Sequence, residues 1–254
     1  MVVVAVINEK GGVGKTTTVA TLGHALAQRG ERVLVVDLDP QANLTAWIGA
    51  ADPPAATVAN ALADRTTIAD AIGRSMAGTV ALAYGSRAVA DAADELRASS
   101  HAPAQALRRA LRGLDYDRIL VDCPPGLGVL SVNALCAADE LIIPVNSQAM
   151  ALSGVAQLEA TIDELRDAEV IQRGPIPHLL MTMYDPRRAL AREVREYLAG
   201  RDPGHIYETT IRASARIAEC YGHHRTIYDY APREGVADDY ARLAEEVQLA
   251  IAPR

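Results

Sequence analysis

Hydrophobic residues fall along the chain in short runs, with longer amphipathic stretches between them. Strand-like runs occupy 2–7, 32–37, 79–83, 118–122, 141–145 and 176–182, and most are rich in Val, Ile and Leu. Runs that are apolar throughout, rather than alternating, read as strands of a parallel sheet covered on both faces. Between most of them apolar residues recur at helical spacing. Val19, Leu22 and Leu26 share one helix face, and Val236, Tyr240, Leu243 and Val247 form a second stripe near the C-terminus. After 182, Leu190, Val194 and Tyr197 mark an inward helix face, while Arg188, Arg192 and Arg195 share a different one. The Ala-rich segment from Ala50 to Ser100 predicts short helices around one strand. This alternation predicts an α/β fold: a doubly wound, mostly parallel sheet flanked by helices.

Composition narrows the class. A chain of 254 residues suits one domain over 1–254, with no internal repeat or low-complexity linker. Phe is absent, so aliphatic side chains and Ala must fill the core. No apolar run approaches the roughly 20 residues that cross a bilayer, and no signal peptide is visible before the first strand-like run. Cys123, Cys136 and Cys220 lack metal-ligand or disulfide-framework spacing, which fits a reducing compartment. The expectation is a soluble, cytoplasmic protein with no membrane partner.

The charges change the picture more. Of 25 basic residues 23 are Arg, and the two lysines, Lys10 and Lys15, lie close together in one loop. Arg and Lys serve almost equally well on a solvated surface, but they differ where a compact ammonium must reach a phosphate. Two lysines in one loop suggest that the loop needs an ammonium twice, unless chance has added one to a single required lysine.

That loop reads Asn8-Glu9-Lys10-Gly11-Gly12-Val13-Gly14-Lys15-Thr16-Thr17. It departs from G-x-x-x-x-G-K-[ST] in having Glu9 at the opening position, yet it closes on Gly14-Lys15-Thr16. Glycines let backbone N–H groups turn inward as an anion nest, and the helix that follows aims its positive end at the phosphates. Lys15 is placed to reach the β- and γ-phosphates of ATP, and the Thr16 hydroxyl to ligate Mg²⁺. A strand before and a helix after complete the setting of a P-loop NTPase. Two further strands end in acids, giving Asp37-Leu38-Asp39-Pro40-Gln41-Ala42-Asn43 and Asp122-Cys123-Pro124-Pro125-Gly126. In an open parallel sheet, ligands sit at the carboxyl ends of the strands, so these acids face the loop. The plainer alternative is that the first pair only caps the next helix.

The box KGGVGKTT resembles the deviant Walker A motif of the ParA/MinD superfamily, with D-x-D-P-Q-x-N and D-C-P-P similar to its switch I and switch II. The similarity extends over nearly the whole chain, including Asn133-Ala134-Leu135 and Ile142-Ile143-Pro144-Val145. It implies that Lys10 is the signature lysine, crossing a dimer interface to the partner's nucleotide. Nucleotide contacts then fall on Lys10, Gly11, Gly12, Val13, Gly14, Lys15, Thr16 and Thr17. Asp39 would orient the attacking water, Asp37 would support the magnesium shell, and Asp122 would hold Mg²⁺ through water. Catalysis would rest on Lys10, Lys15 and Asp39, with Thr16, Asp37, Asp39 and Asp122 around the metal. Cys123 would be inert. An iron–sulfur cluster is not expected, because Cys136 lies in the helical stretch Ser131 to Ala138.

The resemblance further implies an ATP-dependent homodimer, a ParB-like adaptor, and non-specific DNA as partner on the nucleoid. Some plasmid relatives carry an N-terminal helix-turn-helix extension, and none is expected here. Net charge is −7, but residues 185–225 hold eight Arg against six acids. Arg187 and Arg216 match positions that bind DNA in the family, and Arg188 and Arg192 join them as candidates; an ordinary solvated helix face is the alternative. Departures exist. The family loop R-L-S-E-A-P followed by G-K-P is replaced by Arg216-Ile217-Ala218-Glu219-Cys220-Tyr221 and Gly222-His223-His224-Arg225-Thr226, and Gln148-Ala149-Met150 stands where others carry an acid and aromatics. Three functions remain open: DNA partition, positioning of a protein cargo, and MinD-like membrane cycling. The last needs a basic amphipathic C-terminus, whereas Asp238, Asp239, Glu245 and Glu246 make this one acidic.

Overall fold

The computed structural model describes residues 1–75, 77–99, 103–146, 151–171, 174–201 and 204–250, with 151–154 and 201 described in backbone only. The strands are β1 (Val2–Val6), β2 (Val33–Asp37), β3 (Ile72–Arg74), β4 (Ala81–Ala83), β5 (Arg118–Asp122), β6 (Glu140–Asn146) and β7 (Ile176–Thr182). Among the described residues they form one seven-stranded sheet in the order β3-β4-β2-β5-β1-β6-β7. All neighbours are parallel except β3, which runs antiparallel to β4.

The helices are α1 (Lys15–Gln28), α2 (Asn43–Ile48), α3 (Val58–Leu62), α4 (Ala88–Ala98), α5 (Ala106–Ala110), α6 (Val129–Ala137), α7 (Ala151–Asp167), α8 (Ala189–Arg201), α9 (Ala215–Gly222), α10 (Ile227–Tyr230) and α11 (Gly235–Ala250). They divide the core in two. Successive strand side chains point to opposite faces. Val3, Ala5, Val36, Val121 and Ile143 therefore pack with residues of α3 to α8, whereas Val4, Val6, Val35, Leu120 and Ile142 pack with α1, α2 and α11. Both faces are covered, which is why β2, β5 and β6 are buried at every position. Val19, Leu22 and Leu26 of α1 and Val236, Tyr240, Leu243 and Val247 of α11 are all buried, as their spacing predicts.

Two expectations are corrected. The segment from 50 to 100 contributes two strands rather than one. β3 is only Ile-Gly-Arg at the sheet edge, with no residue fully buried, so it carries no hydrophobic pattern to read. In α8 the inward face is Ala191, Val194 and Leu198; Leu190 and Tyr197 are exposed at 47% and 56%. The apolar spacing fitted two registers of this helix, and the small Ala191 chose the one that packs closest. No helix among the described residues is long and apolar enough to cross a membrane.

Leu243 is fully buried between α11 and the sheet. Leu243→Ala should lower stability by about 2–5 kcal/mol. Urea unfolding should show this as a lower midpoint with an unchanged slope.

Candidate active site

In register, Val6 of β1 and Asp37 of β2 both lie opposite Asp122 of β5, so three strands end level. The chain leaving β1 is tied down at once. Asn8 is buried, donates from Nδ2 to Pro144 O at 2.7 Å, and accepts the Lys10 amide on Oδ1 at 2.9 Å. Beyond it the loop turns through Gly12 (φ 72) and Gly14 (φ 94), left-handed conformations that glycine adopts freely. The Thr182 hydroxyl at the end of β7 donates to Val13 O at 2.8 Å and fixes the loop from the far side. Gly126 N donates to Glu9 O at 3.0 Å, joining the D-C-P-P turn to the same loop.

Lys15 opens α1 and is 7% exposed. Its Nζ donates to Lys10 O at 2.9 Å and Asn8 O at 3.2 Å. Burial lowers its pKa, an effect partly offset by Asp122, Cys123 and Asp39. The ammonium thus rests on carbonyls of its own loop, at the spot where phosphate oxygens would replace them. Lys10 is half-buried in that loop.

The acids differ from one another. Asp37 is fully buried; its Oδ2 accepts Thr45 N at 2.7 Å and its Oδ1 accepts Asp39 N at 3.3 Å. Burial pushes its pKa up to about 6 against those hydrogen bonds. Asp122 is also fully buried, and neither carboxylate oxygen has a hydrogen-bond partner that meets full geometry. Burial and then the Asp37 charge hold its carboxyl well above the usual range, and the Thr16 hydroxyl and Lys15 offset only part of this. Asp39 accepts Gln41 N on Oδ1 at 2.9 Å and lines the cavity beside the glycine loop.

An orphaned buried carboxylate beside a threonine hydroxyl fits a hard divalent cation. Mg²⁺ keeps several waters, takes one or two protein carboxylates and completes its shell with substrate phosphates. Thr16 and Asp39 reach the cavity, Asp122 lies behind them, and Asp37 spends its oxygens on the Thr45 and Asp39 amides.

The cavity has a volume of about 820 Å³. Gly11, Gly12, Gly14, Lys15, Thr16 and Thr17 form its phosphate end. Met183, Ile211, Ile217 and Tyr221 give another part of its wall an apolar character suited to a base. The sequence reading missed this wall, although Met183 directly follows a strand end and so sits where ligands bind. It also missed Gly85 and Thr45. Gly85 N donates to Thr45 Oγ1 at 2.8 Å, and a Cβ on Gly85 would lie 2.7 Å from Asp37 O and 2.8 Å from Asp37 Cγ. Only glycine lets the chain after β4 pass this close to Asp37.

The candidate DNA-contacting arginines are exposed and engaged with neighbours. Arg187 pairs with Asp185 at 2.9 Å, and Arg188 stands 3.9 Å from the same carboxylate. Arg192 donates to Pro186 O at 2.7 Å, and Arg216 pairs with Glu219 at 2.7 Å and Glu234 at 3.7 Å. Gln148-Ala149-Met150 lies outside the described residues.

Residues 1–172 match the family model described as AAA domain. The chromosome-partitioning ATPase Soj of Thermus thermophilus is 39% identical over 251 residues, covering 98% of this chain and 96% of that protein. The chain belongs to the ParA/Soj family of P-loop ATPases. The sporulation initiation inhibitor protein Soj of Bacillus subtilis is 36% identical over 248 residues, covering 96% of this chain and 97% of its own length. Among solved structures, cobyrinic acid a,c-diamide synthase from Mycobacterium smegmatis, with bound ATP analog and magnesium, superposes with a TM-score of 0.82. It is 32% identical and covers 100% of this chain and 97% of that one.

Gly85→Ala should leave the sheet folded but push Asp37 out of place. ATP turnover should fall on the order of 10–100-fold, as expected for a displacement near 1 Å. Phosphate release at saturating ATP is the measurement, and wild-type turnover would show that Asp37 need not be held there.

Proposed function

We propose that this ParA/Soj-family ATPase is a partition ATPase: it dimerises on ATP, binds DNA without sequence preference, and hydrolyses ATP when a ParB-like adaptor engages it. The observation that carries the reading is the loop with Lys15 buried on its carbonyls and Lys10 five residues before it, beside an acid site short of positive charge. The name of the Thermus thermophilus relative, a chromosome-partitioning ATPase, supports DNA as the cargo. In this reading Lys15 and the amides of Gly11 to Thr17 hold the phosphates, Thr16 and Asp122 hold Mg²⁺, Asp37 supports that shell, and Asp39 orients the attacking water. Lys10 reaches the nucleotide of the partner subunit in a homodimer. The protein would act in the cytoplasm, on the nucleoid.

An amide-forming role like that of the Mycobacterium smegmatis synthase is less favoured. Amide or acyl transfer through a cysteine nucleophile takes an activated, accessible thiol. Here Cys123, Cys136 and Cys220 are all buried, and burial pushes the thiols of Cys136 and Cys220 up to about 11 and that of Cys123 higher still. Positioning of a protein cargo uses the same ATPase cycle and differs only in what the dimer binds. Membrane cycling is disfavoured by the acidic face of α11.

Two variants separate assembly from hydrolysis. Asp39→Ala should bind ATP and accumulate as a dimer without turnover, whereas Lys10→Ala should bind ATP and stay monomeric. Light scattering with ATP and Mg²⁺ reads both, and a dimeric Lys10→Ala would remove the interfacial role.

DNA binding tests the cargo. The Arg187 and Arg216 ion pairs are exposed, so phosphates can readily exchange for their carboxylates. Two such patches joined in an ATP dimer gain on the order of 10²-fold from effective concentration. Binding to random-sequence duplex should require ATP and fall steeply with salt. Replacing Arg187, Arg188, Arg192 and Arg216 by Glu should abolish it while dimerisation persists, in electrophoretic shifts at two salt concentrations. Absence of binding by the wild-type dimer at low salt would favour a protein cargo.

A further inference from the structure

The segment carrying Asp39 enters α2 without a capping side chain, through Ala42 held at φ 51. L-residues other than Asn, Asp and His seldom adopt this left-handed conformation, so contacts elsewhere must hold Ala42 there. At its far end α2 is fastened to the loop 222–226 that follows α9. The Trp47 indole Nε1 donates to Arg225 O at 2.9 Å. His224 Nδ1 lies 2.9 Å from Ala46 O, and a carbonyl can only accept, so the imidazole carries its proton on Nδ1. Trp47 also meets Tyr221, with ring centroids 5.9 Å apart. His224 itself sits at φ 52, so left-handed non-glycine residues stand at both ends of this attachment.

We propose that His224 and Trp47 are positioning residues that clasp α2 to the loop after α9 and thereby hold Asp39 in its place for hydrolysis. The inference rests on the reading of Asp39 as the residue that orients water. Neither side chain needs to touch the reacting atoms. His224 stands outside the cavity, and the indole of Trp47 forms part of its wall. The same clasp ties the Asp39 segment to α9, the helix bearing Arg216, so contact at that surface has a mechanical route to the hydrolytic residue.

Asn is the conservative replacement at 224. Its Nδ2 extends as far as histidine Nδ1, and Asn tolerates the left-handed region. The readouts are steady-state ATP turnover and the emission of Trp47, the sole tryptophan of the chain and only 2% exposed. His224→Ala should lower kcat about tenfold with KM for ATP within about twofold, the signature of misplaced rather than lost binding groups. Its emission should shift to the red as water reaches the indole. His224→Asn should restore both values. His224→Gly relieves the backbone but supplies no donor, so it should behave as His224→Ala does; wild-type behaviour would assign the effect to strain and overturn the clasp. Unchanged kcat and emission in His224→Ala, or a loss confined to KM, would overturn it as well. Asp39→Ala separates the two readings. Surviving turnover there defeats the role of Asp39, whereas an inactive Asp39→Ala beside a wild-type His224→Ala defeats the clasp alone.

Discussion

Asp37 and Asp122 end adjacent parallel strands in register, and both carboxylates are removed from water. Like charges in such a place raise each other's pKa and resist ionisation. The Lys15 ammonium attracts Asp122 but already donates to two carbonyls. The site is therefore short of positive charge by construction. A hydrated divalent cation held at Asp122 and Thr16 would supply that charge, beside the buried Lys15 ammonium and the amides of the glycine loop.

Rigidity around that spot comes from ties between neighbouring strand ends. Asn8 reaches β6 through Pro144 O, Thr182 reaches from β7 to Val13 O, and Gly126 reaches Glu9 O from the turn after β5. Asp37 is gripped by Thr45, which is in turn gripped by Gly85 after β4. At or just beyond their ends β5, β6 and β7 each thus contribute one contact to the loop, and β4 reaches Asp37 by way of Thr45. The parallel sheet matters here because it brings all these ends to one side.

How legible each part was follows from what the residue does locally. The loop, Asp37, Asp39 and Asp122 stood out in the sequence because each lies at a strand end in a short stretch of recognisable residue types, and the structure brings these strand ends together at one edge of the sheet. The buried strands were read to within a residue or two because their apolar runs are unbroken. β3 was not legible, since Ile72-Gly73-Arg74 pairs through backbone alone at a sheet edge. The face of α8 was misjudged because Leu190 and Tyr197 are large and apolar yet exposed, while the small Ala191 packs inward. Gly85, Thr45 and Met183 act through close approach across strands distant in sequence. No local pattern encodes such contacts, though the position of Met183 just beyond a strand was a usable signal.

The arginine surface follows the same logic in reverse. Arg187 and Arg188 share the single carboxylate of Asp185, and Arg212 and Arg242 share that of the buried Asp239. Arg187, Arg212 and Arg242 line one cleft of about 470 Å³ together with Asp185 and Asp239. Three guanidinium groups against two acids give that cleft surplus positive charge on a chain whose net charge is −7. The carboxylates also orient the guanidinium groups, which lowers the ordering entropy that a phosphate contact would otherwise have to overcome. Arg212 lines the nucleotide cavity too. The two cavities therefore share Arg212 in their walls, and the guanidinium that stands beside both is the one Asp239 orients.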